Sequence, residues 1–290
     1  MSKLLQTGLR RYLVSPLWWL TAVTAAVTGA YFGLTFNRIY SFESMAALVP
    51  TILFAILLSL SIGREFGDGT VRNKIVAGHR KGVVFISELI LGVGACLCLS
   101  LLFLITFAIF QAPYLSRVPI GVFGKVFAAL FFLYLSTAAM MTVLSLLIAN
   151  KSASAIVCLL LILVLVLLSD NLHSALNRPE FYRTPVIGED GEGSFLNQYK
   201  GYMYNPNYVK GTRRKVYQFV LDLLPVGQIV ECCAIVDNCI SETDRYGKPA
   251  PYTPTEEESR LLDTCSYYAV GLSVVFSAIG WLIFRKRDLK

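Results

Sequence analysis

Leu89-Ile-Leu-Gly-Val-Gly-Ala-Cys-Leu-Cys-Leu-Ser-Leu-Leu-Phe-Leu-Ile-Thr-Phe-Ala-Ile-Phe-Gln-Ala-Pro-Tyr-Leu-Ser116 runs for 28 residues without a charged side chain. A helix rises about 1.5 Å per residue, so roughly 20 apolar residues cross the ~30 Å hydrocarbon core of a bilayer. Five other intervals in the 290 residues have the same character: Tyr12–Asn37 (26 residues), Ser44–Gly63 (20), Val126–Asn150 (25), Ser152–Ser169 (18) and Thr264–Phe284 (21). No other charge-free interval exceeds nine residues. Lipid offers the backbone no hydrogen-bond partner, so each long interval predicts one spanning helix and the fold class is an all-α membrane protein with six transmembrane helices. Composition agrees, with 55% apolar residues, 16% charged residues and a mean hydropathy of +0.59, which excludes a soluble enzyme.

Orientation follows from where the Lys and Arg residues fall. One side carries Lys3, Arg10, Arg11, Arg64, Arg72, Lys74, Arg80, Lys81, Lys151, Arg285, Lys286, Arg287 and Lys290; the other short segments carry Arg38, Arg117 and Lys125. Thirteen against three predicts both termini in the cytoplasm. Trp18 and Trp19 then lie at the inner headgroup level. The first apolar run is too long for a cleaved signal peptide and is expected to remain. The chain thus divides into a membrane domain (1–169), an extracytoplasmic segment (170–263) and a last span with its cytoplasmic tail (264–290). The net charge of +7 and pI near 9.0 arise mainly from the cytoplasmic rim. That rim reads as a topology signal and an attraction for anionic membrane lipid, not as a nucleic-acid surface.

Three cysteines, Cys96, Cys98 and Cys158, fall inside spans and read as small apolar side chains. The other four, Cys232, Cys233, Cys239 and Cys265, lie in or beside the outer segment, where oxidising conditions favour disulfides. Neighbouring cysteines rarely bond each other, so Cys232 and Cys233 would take Cys239 and Cys265 in one of two pairings. No metal site is expected, because the outer His173 is far from all four in sequence.

Before the first span, Leu4, Leu5, Leu9, Tyr12 and Leu13 recur at helical spacing and predict an amphipathic helix on the inner membrane surface, or else the basic start of span one. Between spans two and three lies Gly63-Arg-Glu-Phe-Gly-Asp-Gly-Thr-Val-Arg-Asn-Lys-Ile-Val-Ala-Gly-His-Arg-Lys-Gly82. Gly67 and Gly69 predict a turn, Thr70 an N-cap, Val71, Ile75 and Val76 an apolar stripe, and Gly78 a stop. Such a helix either docks into a groove of a soluble partner or rests its stripe on the membrane. Glu65 and Glu88 bracket it, with Arg64, Arg72, Lys74, Arg80 and Lys81 near enough in sequence to pair with them, as structural ion pairs or as a mechanical relay. The short polar turn at Asn150–Ser152 predicts a tight hairpin of spans four and five. In the outer segment, Asn177–Ser194 and Glu242–Glu257 read as loops. Between these loops, Val216, Phe219, Val220, Leu223 and Leu224, then Ile229, Val230, Ala234 and Ile235, predict two short helices broken at Pro225. The two are re-entrant, laid across the bundle, or part of a small outer core.

The chemistry of most enzymes is absent. No phosphate-binding Gly-x-x-x-x-Gly-Lys-Ser/Thr loop, His-Glu-x-x-His or Gly-x-Ser-x-Gly occurs, and no ionisable group interrupts the six long intervals as a proton-coupled transporter would require. Catalytic residues are therefore assigned to none of the chain, and any energy is expected from outside it.

Arg64-Glu65-Phe-Gly-Asp-Gly69-Thr70-Val-Arg72-Asn73-Lys74-Ile-Val-Ala-Gly78-His79 between spans two and three resembles the signature of ABC type-2 transporter permease subunits. Asn205-Pro-Asn-Tyr208-Val-Lys-Gly211-Thr-Arg-Arg-Lys-Val-Tyr217 through Leu223-Leu-Pro225-Val-Gly227-Gln228 is similar to permeases of this family from Gram-positive bacteria, in the antimicrobial-peptide and multidrug export subgroup. The resemblance implies a subunit of the bacterial plasma membrane that pairs with a second permease copy or paralogue and binds two copies of a separate ATPase. That ATPase would hold ATP and Mg, with no cofactor in this chain. Glu65, Gly69, Thr70, Arg72, Asn73, Lys74, Gly78 and His79 would form the coupling region. The N-terminal helix would match the family's connecting helix, and the outer pair before the last span its re-entrant helices, locked by the cysteine cluster. The implied function is export of an amphiphilic or hydrophobic cargo such as a peptide antibiotic, drug or lipid-like molecule. The outer segment is longer and richer in cysteine than in the simplest members. The alternative expectation is a membrane signalling or stress-sensing protein whose outer cysteine-bearing segment binds a ligand.

Overall fold

The computed structural model describes residues 1–35, 42–115, 118–148, 150–184, 201–241 and 255–286. Arg38, Arg117, Arg287, Lys290 and the greater part of both expected outer loops lie outside the described residues. The elements are α1 (Ser2–Val14), α2 (Pro16–Thr35), α3 (Phe42–Gly67), α4 (Thr70–Val76), α5 (Lys81–Leu115), α6 (Ile120–Leu147), α7 (Lys151–Leu176), β1 (Phe181–Thr184), β2 (Gly201–Tyr204), α8 (Thr212–Leu223), α9 (Pro225–Ser241) and α10 (Glu256–Lys286). Six of these helices, α2, α3, α5, α6, α7 and α10, are long and apolar enough to cross a membrane, so the chain is a multi-pass, membrane-embedded protein.

Helices α3 and α6 form the centre, with Phe54, Leu57, Leu58, Leu133, Tyr134, Met141 and Leu146 fully enclosed. Around them α2 packs on α5, α7 on α3, and α10 on α6. Close approach is possible where side chains vanish. A β-carbon on Gly29 of α2 would lie 2.6 Å from the Phe103 carbonyl oxygen of α5, and one on Gly63 of α3 would lie 2.8 Å from the Lys151 Cα of α7. The turn at Asn150 is tight, its side chain accepting hydrogen bonds from the amides of Ser152 (2.9 Å) and Ala153 (3.2 Å). The expected hairpin of α6 and α7 is nevertheless corrected. The two helices meet near Ser145 and Cys158, but α7 lays its buried face, Cys158, Ile162, Val166 and Ser169, chiefly against α3 and α9.

Two buried polar contacts repair backbone that lipid would leave unsatisfied. Pro50 inside α3 has no N–H for the Ala46 carbonyl one turn earlier, and the Tyr134 hydroxyl of α6 donates to that oxygen at 2.8 Å. Gln111 of α5 donates through Nε2 to the Gly33 carbonyl (2.6 Å) in the last turn of α2, where helical partners run out.

At one end of the bundle sit α1, α4 and the C-terminal turn of α10; Lys81 Nζ lies 3.5 Å from the Arg285 carbonyl, and a β-carbon on Gly82 would touch the Trp281 indole. Helix α1 and the last turn of α10 therefore lie at the same end of the bundle. At the other end Lys125 of α6 meets Asp263 of α10 at 2.8 Å, both exposed, a pair worth under about 1 kcal/mol. Here part of the expected first outer loop is ordered as a strand. β1 pairs antiparallel with β2, Phe181 opposite Tyr204 and Thr184 opposite Gly201. The reason is Asn205, fully buried beyond β2. Its amide group donates to the Pro179 carbonyl (2.9 Å), its side-chain oxygen accepts from the Asn207 N–H (2.9 Å), and its own N–H reaches Glu180 (2.9 Å). Arg214 then covers the C-terminal carbonyl of α7 at Leu176 (3.0 Å). Helices α8 and α9 meet at a 100° bend, and α9 is buried among α3, α6 and α7.

Candidate functional site

The clearest constellation of ionisable groups lies at the end of the bundle that carries α1 and α4. Helix α3 stops at Gly67; the Gly69 backbone turns left-handed (φ 66°), a conformation that glycine adopts without Cβ strain, and α4 begins at Thr70. The expected N-cap is corrected here: Gly69 occupies that position, no side chain caps it, and Thr70 is the first helical residue. The stop is as expected. Gly78 is left-handed (φ 90°), with its N–H on the Ile75 carbonyl (3.0 Å) and the His79 N–H on the Lys74 carbonyl (3.2 Å), a Schellman closure.

Seven residues make two turns, so α4 has two faces. Val71 is buried and Lys74 and Ile75 are partly buried, following i, i+3, i+4 spacing toward the bundle. Arg72, Asn73 and Val76 face away, Val76 with 78% of its surface exposed. The expected stripe of Val71, Ile75 and Val76 is thus split, because Val76 is one residue past Ile75 and about 100° round the helix.

Lys74 holds α4 to two spans at once. Its Nζ is 2.7 Å from Glu65 Oε2 at the end of α3 and 2.5 Å from Glu88 Oε1 in the second turn of α5. The other Glu65 oxygen is held by Arg11 Nη1 of α1. Four helices are thereby tied through two cations and two carboxylates, and the side chains of Lys74, Glu65 and Glu88 are only 11%, 9% and 2% exposed. Charge balance and short hydrogen bonds are what make such burial tolerable. Beside them Tyr12 is buried. Enclosure first, and the Glu88 carboxylate second, push its hydroxyl well above the usual phenol range, so it remains neutral. Gly8 brings α1 close, since a β-carbon there would meet Leu91 Cδ1 of α5 at 2.2 Å.

Of the cations expected near the two carboxylates, Lys74 supplies the direct bonds, Arg64, Arg72 and Arg80 are exposed, and Lys81 lies by the Arg285 carbonyl. Sequence reasoning counted Arg11 among the basic residues that set orientation and missed it as the partner of Glu65, 54 residues away. The only available signal was the coincidence of a basic amphipathic helix with an acidic span end. Among the coupling candidates, Glu65 and Lys74 are brought together, Gly69 and Gly78 frame them, Thr70 starts the helix, Arg72 and Asn73 face out, and partly exposed His79 follows the stop.

At the opposite end, Gln218 of α8 donates to Asp222 Oδ1 and to Glu231 Oε1 of α9, both at 2.9 Å, and Gln228 donates to the Asp222 carbonyl. These bonds pin the α8–α9 bend. The expectation of two disulfides is corrected. Cys232, Cys233 and Cys239 all lie on α9, where six or seven residues of helix separate Cys239 from the other two by about 9–10 Å, beyond the reach of a disulfide. Cys232 instead faces Cys265 of α10, sulfur to sulfur 3.9 Å, as a buried thiol contact. Cys98 differs from its in-span neighbours Cys96 and Cys158 in being exposed. Among the described residues no group of His, Cys, Asp or Glu is arranged to hold a metal ion. No family model matches the chain, and no curated protein matches it.

Proposed function

We propose that the protein is the membrane-spanning permease subunit of an ATP-binding-cassette exporter, with both termini in the cytoplasm. The observation that carries the reading is α4, a two-turn helix clamped by Lys74 to the ends of α3 and α5, with Arg72, Asn73 and Val76 left exposed as a docking face. A helix fixed on one side and free on the other passes a push from a soluble partner into two spans. A helix that merely rested on lipid would instead turn its apolar residues to one side.

In this reading two copies of a separate ATPase bind ATP and Mg, close on each other and move α4. The Arg11–Glu65–Lys74–Glu88 network carries that displacement to α1, α3 and α5. The cargo path lies along α3 and α7 at the interface with a second permease, and α8–α9 closes its outer end. Apolar span surfaces without charged lining suit an amphiphilic or hydrophobic cargo such as a peptide antibiotic, drug or lipid-like molecule. The site is the plasma membrane of a bacterium.

The test is recovery of the chain from its native membrane in mild detergent with identification of what stays bound. An ATP-binding-cassette protein in about equal amount supports the proposal. The outward substitutions Arg72→Glu and Val76→Asp should release it while leaving the fold intact. A chain that never retains an ATPase, or retains it equally with both substitutions, overturns the proposal in favour of ligand sensing by the outer segment.

A further inference from the structure

At the end of the bundle where α1 turns into α2, a pocket of about 470 Å3 opens between α1, the start of α2 and the end of α3. Arg10, Arg11 and Arg64 line it together with Ser15 and Ser61. One carboxylate is present, Glu65, and Arg11 already holds it. The guanidiniums of Arg10 and Arg64 have no hydrogen-bond or ion-pair partner among the described residues. Helix α2 begins at Pro16 in the same pocket while α1 ends there at Val14, so the two helix dipoles offset each other and the guanidiniums set the positive potential.

The surroundings define the ligand further. Val14 lines the pocket, and Leu9 and Leu13 of α1 and Trp19 and Leu20 of α2, the helices that border it, are exposed apolar side chains that offer a flank. Trp19 turns its indole N–H back onto the Leu13 carbonyl (2.8 Å), the posture of a ring at the boundary between headgroups and acyl chains. A soluble anion would use the guanidiniums and leave the flank empty; a neutral amphiphile would do the reverse.

We propose that this pocket binds the phosphate of an anionic phospholipid, with an acyl chain along the flank of α1 and α2. Arg10 and Arg64 supply forked donors to the phosphate oxygens, and the Ser15 and Ser61 hydroxyls complete the cradle. Because Arg11 belongs both to the pocket and to the Glu65 bond, the lipid sits against the network that holds α4. This assignment is independent of the exporter reading, since it depends on no partner ATPase.

The test uses the full chain in lipid nanodiscs. The protein has three tryptophans, and Trp281→Phe leaves Trp18 and Trp19 as reporters beside the pocket. Phosphatidylglycerol with brominated acyl chains, titrated into phosphatidylcholine discs, should quench them at lower mole fraction than brominated phosphatidylcholine does. The preference should be about fivefold for each guanidinium engaged. Arg10→Gln with Arg64→Gln should abolish the preference, and Arg10→Lys with Arg64→Lys should keep only part of it, since an ammonium retains the charge but not the fork. Equal quenching by both headgroups, or an unchanged preference in the Gln variant, overturns the proposal. So does displacement of the brominated lipid by inorganic phosphate at matched ionic strength, which would assign the pocket to a soluble phosphate.

Discussion

Replacing Lys74 by methionine keeps the length and apolar stem of the side chain and removes its charge. Glu65 and Glu88 share that one ammonium at 2.7 and 2.5 Å, so their carboxylate oxygens lie no more than about 5 Å apart. Without the cation two nearly enclosed carboxylates face each other. At an effective dielectric of about 20, two like charges at that distance repel by roughly 3 kcal/mol, and breaking one member out of a buried ion pair costs about 3–5 kcal/mol. Arg11 offsets only part of this, because its side chain is 37% exposed and its bond to Glu65 is screened. We therefore expect Lys74→Met to destabilise the protein by about 3 kcal/mol in reversible unfolding from mixed micelles. Amide exchange should quicken most at Asn73 and Ala77, whose N–H groups close the turns of α4. Adding Glu88→Gln should recover most of the loss, since Glu65 keeps Arg11 as its partner and no second carboxylate faces it. A Lys74→Met protein within about 0.5 kcal/mol of the parent, the range of ordinary surface changes, would refute the clamp.

Three further outcomes test the packing. Tyr134→Phe should cost about 1–3 kcal/mol by stranding the Ala46 carbonyl, and Pro50→Ala should rescue it by restoring the missing helical N–H; an additive double variant in unfolding experiments would disprove the compensation. Gly29→Ala should lower stability by about 1–3 kcal/mol because its β-carbon runs into the Phe103 carbonyl, whereas Gly94→Ala, with open space at that point, should be neutral or slightly stabilising; matched thermal melts compare them. Mild oxidation should join Cys232 to Cys265 and leave Cys239 unlinked to Cys232 or Cys233, and peptide mass mapping that finds a bond within α9 would contradict the helix.

Much of the architecture is legible in the charge pattern because the bilayer imposes a length and forbids unsatisfied backbone. The six charge-free intervals mark the six spanning helices, and their ends differ mainly where helices run on into polar sequence. Helix α5 starts at Lys81, α7 continues to Leu176, and α10 begins at Glu256. A charge does not end a helix when its side chain can reach water or a partner, as Glu88 reaches Lys74. The α8–α9 break was equally readable from Pro225, since proline removes a donor and fixes φ. The strand at Phe181–Thr184 was not, because it depends on a partner twenty residues on and on the buried Asn205.

By itself the sequence determined how many helices are long and apolar enough to cross, which segments are too polar to do so, and that a short helix lies between α3 and α5 and stops at Gly78. These are local properties, set by hydropathy, glycine and proline within one or two turns. Only the tertiary structure decided that α3 separates α6 from most of α7, that Val76 faces away from Val71, and that Cys232 meets Cys265 rather than a neighbour on its own helix. It also decided that Arg11 joins Lys74 on the two carboxylates. Several basic residues lay within sequence reach of Glu65 and Glu88, and all attract a carboxylate alike. The choice among them was made by which helix faces pack together, and Gly8 against Leu91 is where α1 comes close to α5.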